Sequence, residues 1–454
     1  MTAPREGGTG YRLVRALTRW LLKLFYAHIE VVGSEHVPAA GSLIIAANHH
    51  NSIVDAMILL AVMPRPLRVL ANAPLFRHPL IGPFLRLIGA LPVHRRKEAG
   101  NDADPSRNTD LFAATTAALR GGGAIAIFPE GVTQPEPALQ TLRTGTARML
   151  LDAENAAPGL HVTLLPVGLV FDRPGTFRSG RALVLIGAPI ATSDLSAGAA
   201  PARVLTDRLT AALRGQIIEA DDRHTLRLLE LVEALWREAD GAPKQTNAAR
   251  VGWLQRAMKT YRSLLDRAPE ETVAFRRELE GYDAESEKAG LAAQRLSRTY
   301  TFGTVARFVL GEGLSLLVGA PLALCGIVLH ILPYQLTAAA VRLIPHTDEE
   351  EATDKIAAGI VMYPVAWLAE GWIAFALGGK LALVVFLAAL LPTGFFALAW
   401  HERFDHATQE ARAFGRFLRD RDLPRRLCRQ REALAAELVK LVRLAPEAWE
   451  SPAR

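Results

Sequence analysis

The chain has 454 residues, of which 50% are hydrophobic and 22% are charged, with a formal net charge of +6 and a pI of about 9.5. Two cysteines, Cys325 and Cys428, give no support to a disulfide framework or a cysteine-based metal site, and arginines spread without zinc-finger spacing or a lysine-rich tail argue against nucleic acid as a partner. The mean hydropathy of +0.15 is high for a soluble protein and low for a transporter, so a soluble domain joined to a membrane segment fits best.

The first predicted element is a basic amphipathic helix over residues 11–28. Its apolar residues follow helical spacing, and most of its cations lie away from them. Such a helix can lie in the membrane interface, and we assign residues 1–28 to that role; the alternative is an ordinary packing helix on a globular domain. Because Arg12, Arg15 and Arg19 interrupt any signal-peptide core, the domain that follows is expected to stay in the cytoplasm.

Short β-like runs then alternate with helical patterns. The predicted strands are 29–32, 43–47, 67–70, 124–128, 162–171 and 182–186, and the predicted helices are 52–62, 79–88, 110–119 and 142–152. This alternation predicts an α/β fold with a mainly parallel sheet flanked by helices. We assign the α/β domain to residues 29–202. Residues 96–109 are polar and predict a loop within it.

Residues 203–300 carry charged amphipathic patterns and predict a helical insert. The insert could pack on the first domain, form a stalk, cover a groove, or pair with a second copy of the chain in a homodimer. No pattern in the sequence chooses between these roles.

Two apolar runs, 309–341 and 356–400, predict a C-terminal helical transmembrane region over residues 301–402. The second run is long enough for two helices with a turn at Gly378-Gly379-Lys380. The first contains Pro321 and Pro333 and reads as one kinked span or a re-entrant hairpin. Arginines on both flanks place the flanks in the cytoplasm, with residues 403–454 as a basic helical tail. A buried helical subdomain of a soluble protein is the alternative.

The stretch "NHHNSIVD", residues 48–55, follows an apolar strand and precedes an apolar helical face. Open α/β sheets place their functional sites at such carboxyl ends of strands. An aspartate a few residues from a histidine can fix the imidazole tautomer and stabilise the imidazolium, so that the histidine acts as a general base. Alone, the pair His49 or His50 with Asp55 is weak evidence, because such spacings arise by chance.

Three further blocks accompany this motif. Residues 127–131 read "IFPEG", which puts Glu130 and Gly131 at the end of a strand. Residues 90–96 read "ALPVHRR" and end in Arg95 and Arg96, and residues 164–169 read "LLPVGL". Together with "NHHNSIVD", these blocks resemble those of the glycerolipid acyltransferase superfamily, in the same order. "LQTLRTGTARM", residues 139–149, adds Arg143. This stretch and "IFPEG", together with the C-terminal apolar region, look most similar to the membrane-bound glycerol-3-phosphate/dihydroxyacetone-phosphate branch.

The resemblance implies a catalytic domain at residues 29–202 in which a histidine deprotonates a glycerol hydroxyl that attacks an acyl thioester. Acyl-CoA or acyl-carrier protein would be the co-substrate, with no cofactor or metal. Glu130 and Gly131 would help to position the acceptor. Arg95, Arg96 and Arg143 are candidates for binding its phosphate, since a guanidinium fork suits phosphate oxygens. The implied setting is the bacterial inner membrane, with membrane lipids and a glycerol-phosphate or lysophospholipid acceptor as partners.

Two histidines compete for the role of base. The usual superfamily spacing selects His50, whereas the branch pattern N-H-x-N-x-x-x-D selects His49 and is matched by Asn51 and Asp55, so we favour His49. Thr133 and Asn72 stand where many members carry an arginine and a lysine, which weakens transfer of the phosphate site. A thioesterase using the same His/Asp pair, a dihydroxyacetone-phosphate or lysophosphatidate acyltransferase, and a non-catalytic membrane scaffold remain alternatives.

Overall fold

A computed structural model describes residues 7–26, 28–78, 81–93, 106–132, 137–171, 181–194, 200–239, 246–288, 302–343, 351–420 and 422–446. The chain divides into two compact units. The first holds a sheet and helices α1 to α6, and the second holds α7, α9, α10, α12 and most of α8 and α11.

The described residues of the first unit form seven strands: β1 (His28–Val32), β2 (Ser42–Ala47), β3 (Arg68–Asn72), β4 (Leu91–Val93), β5 (Ala124–Ile127), β6 (Val162–Phe171) and β7 (Arg181–Ile186). They are ordered β1-β7-β6-β2-β5-β3-β4, and every pairing is parallel except β6 with β7. Every residue of β2 is buried, as a strand at the centre of a parallel sheet requires. The mainly parallel sheet predicted from the sequence is confirmed.

In the part of the chain that the structure describes, six α-helices cover the two faces of this sheet: α1 (Thr9–Phe25), α2 (Ile53–Val62), α3 (Ile81–Leu87), α4 (Ser106–Arg120), α5 (Gly145–Ala156) and α6 (Pro201–Arg214). α4 begins inside the predicted loop 96–109, of which residues 96–105 lie outside the described residues. α6 buries Leu205, Leu209 and Leu213 in the core on its face of the sheet. The α/β unit therefore runs past the predicted boundary at residue 202.

α1 packs on the α/β unit through Tyr11, Val14, Thr18, Leu22 and Phe25. Two of its arginines face the same way: the guanidinium of Arg15 donates to the carbonyl of Met63, and Arg19 Nε donates to that of Ala61 at 2.9 Å. These carbonyls belong to the end of α2, where a cation is favoured. The alternative of a packing helix thus describes this face, while Leu13 and Trp20 remain exposed.

The second unit combines charged helices with apolar ones. Its helices are α7 (Arg223–Ala239), α8 (Asn247–Arg267), α9 (Pro269–Lys288), α10 (Phe302–Leu343), α11 (Glu351–Arg419) and α12 (Leu423–Val442). Leucines of α7 and α12 form one hydrophobic cluster with Phe275, Leu279 and Tyr282 of α9. α9 and α12 are thereby packed together although the apolar helices separate them in sequence.

Two described segments, Gly311–Leu343 and Ala357–Asp405, are long and apolar enough to cross a membrane. α10 is one helix through both of its prolines, so of the two interpretations of 309–341 the re-entrant hairpin is not found. A proline kinks an apolar helix without having to end it. α11 breaks at Gly379 (φ 66°, ψ −156°), and a Cβ at Gly371 would lie 3.4 Å from side-chain atoms of Leu383 and Phe386. The two arms of α11 therefore run side by side as a hairpin.

Candidate active site

The site begins where β2 ends. The β2–β6 ladder stops at the pair Ala47 and Val167, and Asn48, the residue after β2, continues the pairing with its side chain. Its Nδ2 donates to the carbonyl of Leu169 at 2.9 Å, and the Leu169 N–H donates to its Oδ1 at 2.6 Å. The side-chain amide of Asn48 therefore makes the hydrogen bonds that a backbone peptide group would make in the ladder. The main chain is then free to turn away from the sheet at its carboxyl edge.

Asp55 organises the turn that follows. It is fully buried on the first turn of α2, and its Oδ2 accepts three hydrogen bonds. One comes from His49 Nδ1 at 2.9 Å, and the others come from the backbone N–H groups of His50 and Asn51, both at 2.8 Å. Asp55 thus contacts the imidazole of His49 and the backbone of His50. The spacing of five residues, and not that of four, matches the side-chain pair.

The chain makes a strained turn between these groups. Ser52 has φ 46° and ψ −125°, and the N–H of Val54 donates to the carbonyl of Asn51 at 3.0 Å. This is the geometry of a type II′ turn, whose first central position favours glycine because φ is positive there. The side chain of Asn51, which is buried, donates from Nδ2 to the hydroxyl of Tyr26 at 2.8 Å.

The segment that follows β5 holds the other side of the histidine. Glu130 is 2% exposed, and its carboxylate accepts from the N–H of His49 at 2.8 Å and from that of Gln140 at 3.0 Å. Burial raises the pKa of Glu130, against the lowering effects of these N–H donors and of the two nearby histidines. The ring of Phe128 stacks on that of His49 with centroids 4.2 Å apart. The backbone and ring of His49 are therefore both fixed by the segment that follows β5.

Arg143 lies beside the glycine of the "IFPEG" block. Gly131 has φ 70°, and a Cβ there would lie 2.9 Å from Arg143 Nε, so glycine leaves room for the guanidinium. The N–H of Arg143 also donates to the carbonyl of Pro129 at 2.9 Å. The structure thus brings Arg143, Glu130, His49 and Asp55 to one edge of the sheet. Arg95 and Arg96 lie outside the described residues.

Several contacts of the site could not be recognised in the sequence. Tyr26 lies outside the four motif blocks, and its position near the end of the predicted helix 11–28 is the sequence signal that could have identified it. Phe128 reads as the last residue of an apolar strand, yet its ring contacts His49. Within the described residues, no group of three or more histidine, cysteine or acidic side chains is placed to hold a metal ion.

Residues 28–170 match the family model described as Acyltransferase. An uncharacterized acyltransferase of Schizosaccharomyces pombe is 23% identical over 308 residues, which are 48% of this chain and 46% of that protein. A 1-acyl-sn-glycerol-3-phosphate acyltransferase of Borreliella burgdorferi is 28% identical over 168 residues, 37% of this chain and 63% of the relative. Glycerol-3-phosphate O-acyltransferase 2 of Saccharomyces cerevisiae is 36% identical over 88 residues, 19% of this chain and 12% of the relative.

The chain spans less than two thirds of the length of each of these three relatives. The matched region runs from β1 to the penultimate residue of β6 and contains His49, Asp55, Glu130 and Arg143. Residues 28–170 thus form a domain that matches the Acyltransferase family model and is similar to glycerolipid acyltransferases.

Proposed function

We propose that this protein moves a fatty acyl group from acyl-CoA or acyl-carrier protein to a hydroxyl of glycerol 3-phosphate or of a lysophospholipid. The observation that carries the proposal is the 2.9 Å contact between His49 Nδ1 and Asp55 Oδ2 at the carboxyl edge of the sheet. A carboxylate accepts hydrogen bonds and does not donate them, so the hydrogen is on Nδ1 and Nε2 is the nitrogen that can take a proton.

The proposed reaction uses His49 first as base and then as acid. Nε2 takes the proton of the acceptor hydroxyl while its oxygen attacks the thioester carbonyl carbon. The tetrahedral intermediate collapses with cleavage of the C–S bond, and the imidazolium returns the proton to the departing thiolate. Asp55 stabilises the imidazolium in between. Arg143 would bind the acceptor phosphate, because its guanidinium lies beside Gly131 and a guanidinium forms charge-assisted hydrogen bonds with phosphate oxygens.

The names of the relatives favour a phosphorylated acceptor. Two of them are named for acylation of 1-acyl-sn-glycerol 3-phosphate or of glycerol 3-phosphate. A positive side chain near the base suits either molecule, since both carry a phosphate. Dihydroxyacetone phosphate fits the same chemistry and belongs in the same test.

We also propose that α10 and α11 sit in a membrane, the bacterial inner membrane, with the catalytic unit on the cytoplasmic side. Large apolar side chains such as Val318 (73% exposed), Trp372 (71%) and Leu377 (85%) have little protein around them. Exposure of so much apolar surface to water is unfavourable, whereas lipid accommodates it. The apolar part of α10, 33 residues, is about 50 Å long, which exceeds the thickness of a bilayer core.

The packing of α9 against α12 restricts this topology. Both helices contribute to one hydrophobic cluster, so the two ends of the apolar region between them lie on the same side of the membrane. The number of crossings is then even. Of the three apolar arms, which are α10 and the two arms of α11, at most two cross the membrane.

An acceptor panel tests the proposed activity. Membranes containing the full chain would receive labelled acyl-CoA or acyl-carrier protein together with glycerol 3-phosphate, dihydroxyacetone phosphate or lysophosphatidate, with His49→Ala as the control. Transfer to a phosphorylated acceptor that disappears in His49→Ala supports the proposal. Thioester hydrolysis without transfer would instead identify a thioesterase, and no His49-dependent reaction at all would leave the scaffold interpretation.

A further inference from the structure

Tyr26 connects the N-terminal helix to the catalytic turn. It caps α1, donating its N–H to the carbonyl of Leu22 at 2.8 Å, and it is 3% exposed. Its hydroxyl accepts from Asn51 Nδ2 at 2.8 Å, and its ring lies 5.9 Å from that of Phe171 at the end of β6. Tyr26 precedes the family-matched region, which begins at residue 28. It is thus fixed by α1 and β6, two elements that do not belong to the turn.

The turn that Tyr26 contacts is under backbone strain. Ser52 has a positive φ, which residues other than glycine seldom adopt. Such a conformation persists only where several surrounding contacts hold it in place. Asn51 is the residue immediately before it. Its backbone is held by Asp55 and by Val54, and its side chain by Tyr26. Without the last contact, the turn has one constraint fewer against relaxing.

Relaxation of the turn would reach the base directly. The same Oδ2 of Asp55 accepts from the N–H of Asn51 and from Nδ1 of His49. A shift of Asn51 changes the position or the hydrogen bonding of that oxygen, and therefore the orientation of the imidazole. A displacement of about 1 Å at a catalytic group can cost about a hundredfold in rate.

We infer that Tyr26 is a positioning residue of the active site: its hydroxyl holds Asn51, and thereby the strained turn that keeps His49 aligned with Asp55. This role rests on the proposed function of His49 as the base. Tyr26 acts through Asn51 and contacts no reacting atom in the proposed reaction.

α1 supplies a matched control. Tyr11 is also buried and its hydroxyl also accepts an N–H, from Leu67 at 3.0 Å, but Leu67 is the residue before β3 and does not belong to the catalytic turn. Tyr26→Phe and Tyr11→Phe each remove one hydroxyl from the same layer of the fold. Their effects on overall stability should be similar, so a difference in catalysis reports on the turn.

The kinetic test uses the full chain in membranes. Tyr26→Phe should lower kcat about tenfold, with KM for donor and acceptor changed less than twofold, whereas Tyr11→Phe should leave kcat unchanged. Adding Ser52→Gly to Tyr26→Phe should restore most of the lost kcat, since glycine adopts a positive φ without strain. Equal kcat values for the two tyrosine variants, or no recovery on adding Ser52→Gly, would overturn the inference.

A structural test separates this inference from the proposed function. Hydrogen exchange of the backbone amides of residues 48–55 should accelerate in Tyr26→Phe and not in Tyr11→Phe, whether or not the protein transfers acyl groups. A wild-type protein that is inactive on every acceptor refutes the proposed function, while unchanged exchange in Tyr26→Phe refutes the role of Tyr26.

Discussion

The Nδ1 atom of His49 lies 2.9 Å from Oδ2 of Asp55. Replacing Asp55 with asparagine removes the charge that stabilises the imidazolium and keeps the shape of the side chain. Oδ1 of Asp55 has no hydrogen-bond partner among the described residues, so the new amide can point there while its oxygen keeps the three N–H donors. We expect kcat to fall at least about a hundredfold. Steady-state acyl transfer measures the loss of kcat, and the unfolding temperature measures any change in stability. A variant with near-normal kcat would contradict the proposed His49–Asp55 dyad.

The two neighbouring histidines should respond differently to alanine. His49→Ala removes the imidazole that contacts Asp55, and we expect a loss of activity of about a hundredfold or more. His50 meets Asp55 through its backbone N–H, which alanine retains, so His50→Ala should lose far less. The comparison needs only kcat/KM for both variants. Equal losses would mean that the structure does not distinguish the base.

Glu130 should make stability depend on pH in a defined direction. Burial raises its pKa above the ordinary value, so the folded state binds its proton more tightly than the unfolded state does. The stabilising effect of protonation is complete below the unfolded pKa of about 4.3 and is lost as pH rises through the raised folded pKa. Relative to Glu130→Gln, the wild-type protein should therefore gain stability as pH falls through the raised folded pKa towards the unfolded one. Unfolding temperatures of both proteins in detergent measure the difference, and a constant difference would contradict the buried carboxylate.

Arg143 should discriminate between phosphorylated and unphosphorylated acceptors. If Arg143 binds the acceptor phosphate as proposed, Arg143→Ala removes a charge-assisted contact worth about 1.5–3 kcal/mol, and KM for the phosphorylated acceptor should rise about tenfold to a hundredfold. Arg148→Ala, which removes an exposed arginine from α5, is the matched control and should leave KM unchanged. A monoacylglycerol acceptor should show no effect of either change. The same KM increase with both acceptors would remove Arg143 from the phosphate site.

The native cysteines allow the topology to be measured. Cys428 is exposed on α12 and Cys325 lies in α10, so Cys325→Ser leaves Cys428 as the single thiol. An impermeant maleimide should label Cys428 only from the cytoplasmic side. A second protein without either cysteine, carrying Glu35→Cys in the catalytic unit, should label from the same side. Labelling of the two sites from opposite sides would rule out an even number of crossings.

The sequence predicted those parts of the molecule that depend on local pattern. β6 has the predicted limits because eight of its ten residues are Val, Thr, Leu or Phe, and His49 and Asp55 are close enough along the chain for one turn to join them. The preference for His49 over His50 came from its spacing to Asp55, and the observed contact has that spacing.

Contacts between distant residues could not be predicted in the same way. The hydrogen bond from His49 to Glu130 joins residues 81 positions apart, and the pairing of Asn48 with Leu169 spans 121. Both depend on β2 lying between β5 and β6, an order that hydrophobic patterns do not specify. The predicted end of the α/β domain at residue 202 leaves out most of α6 for a related reason, because an amphipathic helix looks the same whichever core it covers.

The contact between α9 and α12 also has a consequence for biosynthesis. α9 ends at Lys288 and α12 begins at Leu423, so the ribosome must deliver both apolar helices before the partner of α9 exists. Until then Leu279 and Tyr282 lack the α12 side of their cluster, and exposed apolar faces of this kind promote aggregation. α12 thus completes the hydrophobic cluster of the second unit. A chain shortened before Leu423 would keep every residue of the candidate active site, but the apolar face of α9 would remain without its α12 partner.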